Sequence, residues 1–227
     1  DVDVTVTVGK ATVSEQIAID SQTTGTITAT ITQGDVNILK TLTSSGGVHA
    51  LTIILADISA TAGDLNIIDS KTSINVDASS IANITSSSIS DVKTLIANKT
   101  SAGIDGDWNV VISNTLSAAD AKIVNTATSG NIDIQASTTL DGTTADVLAI
   151  VNDASFTTNT NYATTLSDTA SATDVNAIAN DTAGVVTAVV TAGTASALNA
   201  ALLNANTADK LTLTLTDGTL ASVDNLL

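Results

Sequence analysis

Apolar and polar residues alternate in several short stretches of the chain. The clearest are Val4, Val6 and Val8; Ile27, Ala29 and Ile31; Leu51, Ile53 and Leu55; Ile132, Ile134 and Ala136; and Leu211, Leu213 and Leu215. Thr, Asp and Asn fill many of the positions between. A period of two predicts a strand with one buried face and one wet face. Between these stretches the period lengthens. Val36 and Leu39, Leu65 and Ile68, Val92 and Leu95, Val147 and Ile150, and Val175 and Ile178 sit three apart, on one flank of a helix. Helices of about two to three turns are too short to stand alone in water. Packing must hold them.

The helix starts carry a recurring signal. A Ser or Thr precedes an acid by three residues, and the apolar run follows. The pairs are Thr12 with Glu15, Thr32 with Asp35, Thr61 with Asp64, Ser88 with Asp91, Ser117 with Asp120, Thr143 with Asp146, and Ser171 with Asp174. Thr194 keeps the context but has Ala197 where the acid would be, and Thr219 precedes a similar run, SVDNLL. In this spacing the hydroxyl accepts a bond from a free amide of the first turn. The acid bonds back to the cap and meets the positive end of the helix dipole. Several helices are followed by Gly25, Gly130 or Gly184, where a left-handed residue would end the helix.

Successive caps fall 20 to 29 residues apart, and alternate caps 48 to 56. The unit therefore reads strand, turn, cap, short helix, with a double unit superimposed. Repeated strand–helix units predict parallel strands on one side, helices on the other, and right-handed crossovers. The expected fold is an α/β repeat: an elongated β/α solenoid of about nine units on one parallel sheet, running through residues 1–227 as a single domain. A right-handed parallel β-helix is the alternative, and the capping pairs argue against it. The chain opens on strand-like DVDVTVTV, which predicts a segment of a longer repeat array.

Composition sharpens this picture. The chain has 227 residues, 43% hydrophobic, yet its only aromatics are Trp108, Phe156 and Tyr162. Branched aliphatics and Ala suit a thin interior. Net charge is −16; the seven basic residues are all Lys, and Glu15 is the single Glu beside many Asp. Such a surface repels nucleic acid and anionic membrane. No stretch approaches the ~20 apolar residues of a membrane span, and no signal peptide precedes the first strand. Absence of Cys, Met and Pro fits an exposed, oxidation-tolerant surface protein.

The strings AGDLNIIDSKT, LSDTASATDVNAIANDTAG and INVDASSIANIT resemble the repeats of very large secreted proteins of cyanobacteria and other marine bacteria, often described as haemolysin-like, surface-layer or adhesin-like. The resemblance runs through about the whole chain. It implies an extracellular, cell-surface location and a structural or adhesive role, and it transfers no catalytic residue.

Candidate chemistry is sparse. His49 is the only histidine and has no second His or Cys to share a metal. Asp105 and Asp107, in the loop GIDGDW, are the best calcium ligands, since that ion takes carboxylate and carbonyl oxygen. Asp1 with Asp3, Asp141 and Asp217 are weaker ones. The competing reading is turn and cap chemistry, because Asp-Gly is a standard turn pair. Thr5, Thr7, Thr26, Thr28, Thr30, Thr52, Thr212 and Thr214 line the wet face of the strands, and a glycan or ice lattice is weighed there against plain strand propensity. Asn75, Asp77, Val111, Asp133 and Gln135 interrupt the rows. Asn83, Asn98 and Asn180 stand in N-x-[ST] sequons.

Without Cys or Arg, and with one His, the chain offers poor material for catalysis, and no G-x-S-x-G elbow flanks a Ser. The expectation is no enzyme and no certain cofactor, calcium being the one candidate. Structural material comes first: a building block of a surface layer, sheath or filament, self-associating head to tail. An adhesin-type module for glycan, surface or calcium is the alternative. A carbohydrate-active β-helix using two Asp carboxylates is the third reading.

Overall fold

The computed structural model describes residues 2–7 and 9–216. Internal contacts divide the chain into two compact units. The first holds the residues up to Val111 with Ala127–Gly130; the second holds Ile112–Thr126 and the residues from Asn131 onward.

Strands and helices alternate through the first unit: β1 (Val4–Thr5), α1 (Val13–Asp20), β2 (Ile27–Thr30), α2 (Val36–Leu39), β3 (Ala50–Thr52), β4 (Ser59–Thr61), α3 (Ala62–Asp69), β5 (Asn83–Ser87), α4 (Ile89–Ala97), α5 (Lys99–Ala102) and β6 (Asn109–Ile112), whose last residue falls in the second unit. The second continues as α6 (Ala118–Ala127), β7 (Ile132–Asp133), α7 (Thr144–Val151), β8 (Phe156–Thr157), β9 (Thr164–Ala170), α8 (Ala172–Asp181), β10 (Val186–Val190), α9 (Ala195–Ala201) and β11 (Lys210–Thr212).

The class is α/β with parallel strands. β1, β2 and β3 lie side by side, Val4 opposite Ile27 and Thr28 opposite Ala50. β4 pairs with β5, and β6 lies beside β5. In the second unit β7 pairs with β8, and β10 lies between β9 and β11. One continuous sheet, as the periodicity predicts, is not formed. Residues 72–77 pair with the β3 segment through isolated bridges, His49 to Thr72 and Ile54 to Asp77, and between them the Thr72 hydroxyl takes the place of a ladder partner at Leu51, so the ladder breaks there.

The inner period-two faces fill the core: Ile27, Ala29 and Ile31 are buried, as are Leu51, Ile53 and Leu55. Val4 and Val6, and Leu211, Leu213 and Leu215, are only half-buried, and Val8 lies outside the described residues. Every helical pair named above is buried too: Val36 with Leu39, Leu65 with Ile68, Val92 with Leu95, Val147 with Ile150, Val175 with Ile178. Ala136 departs from its pattern. A turn at residues 135–136 shifts the register, Ala136 is exposed, and Ser137 is buried in its stead, donating to the Thr139 carbonyl at 2.6 Å.

Six of the seven capping pairs sit at helix starts, beginning at Thr12, Thr61, Ser88, Ser117, Thr143 and Ser171. Glu15 completes the reciprocal box, taking the Thr12 backbone N–H at 2.7 Å. Asp is one methylene shorter. Asp91, Asp120 and Asp174 instead accept the cap hydroxyl, at 2.7, 3.1 and 2.7 Å. Thr194 caps α9 without an acid. The seventh pair is a correction. Asp35 itself caps α2, accepting from the Ile38 amide at 3.1 Å, while Thr32 donates to Gln33. An Asp at the cap needs no hydroxyl before it. The run after Thr219 lies outside the described residues.

The glycines also act differently from the expectation. None of Gly25, Gly130 and Gly184 has a positive φ. Each is the third residue of a Thr-x-Gly turn. Thr23, Thr128 and Thr182 donate their hydroxyls to the carbonyls of Val2, Trp108 and Tyr162 at 2.5, 2.5 and 2.6 Å. Each hydroxyl also accepts from the amide of the glycine two residues on, at 3.0 Å. A Cβ on any of the three glycines would collide with the carbonyl that receives the hydroxyl. The glycine is there for close approach of two backbones. The left-handed helix end occurs at Gly103, after α5.

Candidate functional site

α1 starts like its fellows but turns a polar flank inward. Gln16 and Asp20, one helical turn apart, are buried at 0% and 3% exposure, where other helices bury aliphatic side chains. Gln16 Nε2 donates to the Thr43 carbonyl at 2.9 Å, and its Oε1 accepts from the Thr43 amide at 3.2 Å. Asp20 Oδ2 accepts the Ser45 hydroxyl at 2.8 Å and the Ser45 amide at 3.0 Å. Asp20 Oδ1 lies 2.7 Å from His49 Nε2, with both side chains 1% exposed. His49 Nδ1 accepts from the Ile27 amide at 3.3 Å. Because Nδ1 accepts, the ring proton on this side belongs to Nε2 and points at Asp20. Burial works to raise the Asp20 carboxyl, but the nearby Thr43 hydroxyl and the donors Ser45 and His49 outweigh it and hold it at about 2.

The cluster contains a serine, a histidine and an aspartate, and their roles decide what they can do. In a nucleophilic triad the serine hands its proton to the histidine. Here Ser45 gives its proton to Asp20, and both His49 nitrogens are already bonded. His49 is therefore not placed to take the Ser45 proton. An open cleft of about 390 Å³ adjoins the cluster, lined by Val2, Asp20, Ser21, Thr23, Thr24 and Ser45 among others. Among the described residues, its lining offers no basic or aromatic side chain to grip an anionic polysaccharide.

The same helix position recurs as a clamp between neighbouring strand–helix segments. Eight residues after the caps Thr12, Thr61 and Ser117 stand Asp20, Asp69 and Asn125. Asp69 accepts the Ser101 hydroxyl at 3.1 Å, and Asn125 Oδ1 accepts the Ser155 hydroxyl at 3.2 Å. Burial pushes the Asp69 carboxyl up despite that bond. Helix lysines make further links of this kind. Lys40, at the end of α2, pairs with Asp64 of α3 at 3.3 Å, and Lys122 of α6 pairs with Asp146 of α7. Many acids bind backbone amides some twenty residues away: Asp3 that of Thr26, Asp57 that of Val36, Asp141 that of Thr165, Asp209 that of Val186.

The sequence-derived sites fare unevenly. His49 is buried, and its partner Asp20 is one that periodicity did not single out. The signal was present, since Gln16 and Asp20 break an inner face that is apolar elsewhere. Asp105 and Asp107 are both exposed. Among the described residues, no three His or acidic side chains gather into a group that could hold a metal. Asp3 and Asp141 are engaged as backbone acceptors. Asp1 and Asp217 lie outside the described residues. The threonines do form short rows on the wet face: Thr5 opposite Thr28, and Thr30 opposite Thr52. Of the sequon residues, Asn98 and Asn180 are exposed, and Asn83 Oδ1 accepts from Asn109 at 3.0 Å. No helix among the described residues is long and apolar enough to cross a membrane. No family model matches the chain, and no curated protein or solved structure matches it either.

Proposed function

We propose that the chain is extracellular structural material rather than an enzyme: a segment of a β/α solenoid of about nine strand–helix units that joins end to end with further copies in a surface layer, sheath or filament. The observation that carries this reading is the use made of polar side chains. Gln16, Asp20, His49, Thr128 and Thr182 are all buried, and each is consumed in hydrogen bonds that join neighbouring strand–helix segments within one compact unit. Side chains so engaged stiffen a stack and have no capacity left to bind or transform a substrate. Units that meet through one register of parallel strands can meet another copy in the same way. A net charge of −16 supports solubility outside the cell and disfavours nucleic acid as a partner.

The test is electron microscopy and sedimentation of the full chain at rising concentration. Rods or fibres that lengthen with concentration are the predicted outcome. Strict monomers at the highest attainable concentration would argue against the assembly.

The in-register rows Thr5–Thr28 and Thr30–Thr52, exposed or half-exposed, favour a second reading, an adhesin-type module that meets a cell-surface glycan or another surface. A glycan array probed with the chain separates the two readings. Calorimetric calcium titration, with a melt in chelator beside it, tests the calcium version through Asp105 and Asp107; no heat and no shift in melting would remove it.

A further inference from the structure

The chain contains Asp–Gly at residues 105–106, 141–142 and 217–218, the last outside the described residues. Asp–Gly is the dipeptide most open to backbone attack on its own side chain, since glycine puts no Cβ beside the attacking nitrogen. The two described sites are held very differently, and that difference carries an inference.

Asp141–Gly142 is locked. Asp141 Oδ1 accepts the Thr165 amide at 2.6 Å, and its carbonyl accepts the Ala118 amide at 2.9 Å. The Gly142 amide, which would be the nucleophile, donates to the Thr165 carbonyl at 3.3 Å, and Gly142 is bridged to Leu166. Attack there requires breaking bonds at both the carboxylate and the amide.

Asp105–Gly106 is free at both reacting groups. Asp105, Gly106 and Asp107 are exposed, in a loop between α5 and β6. Among the described residues, the Asp105 carboxylate has no hydrogen-bond partner, and the Gly106 amide donates to none. What anchors the loop is the far side of the peptide: the Gly106 carbonyl accepts the Ser129 amide at 2.8 Å. That bond leaves the attacking nitrogen and the target carbon untouched.

We propose that Asp105 is a site of spontaneous isomerisation in the folded protein, and that Asp141 is protected from it. The Gly106 nitrogen attacks the Asp105 side-chain carboxyl carbon, and a C–N bond forms. The carboxyl, protonated from solvent, loses its hydroxyl, which leaves with the amide proton as water, giving a cyclic imide. One water then opens the ring at either carbonyl, giving aspartate or isoaspartate, with no oxidant or reductant involved. Isoaspartate adds a methylene to the backbone beside buried Trp108 and takes the carboxylate at 105 out of its place next to Asp107.

The experiment ages the intact chain at neutral pH and 37 °C in ¹⁸O-water, then maps isoaspartate and ¹⁸O uptake by peptide mass spectrometry. In the folded chain residue 105 should convert about tenfold faster than residue 141, the factor expected from hydrogen bonds that only the second site must break. In urea the two rates should come together, because both are then plain Asp–Gly. Gly106→Ala should abolish most conversion at 105 and still fold, since its Cβ meets only the far end of a long side chain, Lys99 Nζ at 3.3 Å, which donates to the Ala127 carbonyl and can give by a few tenths of an ångström. Equal rates in the folded chain, a faster rate at 141, or a tenfold difference that persists in urea would each overturn the proposal.

Discussion

Replacing Asp20 by Ala tests whether the buried cluster holds the first unit together. The substitution removes the acceptor for three donors: the His49 ring N–H, the Ser45 amide and the Ser45 hydroxyl. Ser45 is exposed, so its donors can turn to water. His49 is at 0% exposure and cannot. The loss is therefore one stranded buried donor plus one charge-assisted bond, about 3 kcal/mol together. Urea unfolding followed by far-UV circular dichroism reads it as a lower midpoint at unchanged slope. The double variant Asp20→Leu, His49→Ile makes both positions apolar and should recover most of the loss. The carboxyl also gives a pH signature. Its folded value, about 2, lies below the ordinary 3.8, so its contribution is fully present above pH 3.8 and disappears as pH falls toward 2. That acid-side slope, about 2 kcal/mol in all, should be absent from Asp20→Ala. A loss under about 0.5 kcal/mol, the size of a plain surface change, would mean that the cluster contributes nothing and that the reasoning is wrong.

Three further outcomes follow from the same bonds. At α2, Asp35→Ala should cost about 1 kcal/mol and Thr32→Ala almost nothing, the reverse of what hydroxyl capping predicts, measured by urea titration. Gly184→Ala should lower stability by about 2 kcal/mol or more, because its Cβ meets the Tyr162 carbonyl; Ala183→Gly next to it serves as the control for chain flexibility. Lys122→Met removes an ion pair whose lysine is 46% exposed, so its thermal shift should stay within that of about 1 kcal/mol and shrink further in salt.

Much of the local structure was legible in the residues. Period-two stretches became strands and the three-apart aliphatic pairs became the inner faces of helices, because alternation and helical spacing follow from backbone geometry alone. Six hydroxyl–acid pairs marked helix starts, since a cap and its partner lie within one turn of chain. Thr32 misled because Asp35 is itself a good cap, and spacing cannot tell a cap from the residue three places after one. Glycines after helices were legible as special, yet their reason was not: a left-handed end and a close approach leave the same letter in the chain.

What lies between distant residues was decided only on folding. Asp20 and His49 are 29 positions apart, and nothing local says that a helix end and a strand start share one buried site. The partition of the strands into separate sheets likewise depends on whether residues 72–77 complete a ladder, which is a matter of three-dimensional fit. Sequence patterns report bonds closed within a turn or two of chain. Tertiary packing chooses which of the remaining donors and acceptors, some twenty to thirty residues apart, come within reach of each other, and so which polar side chains are spent on joining neighbouring strand–helix segments.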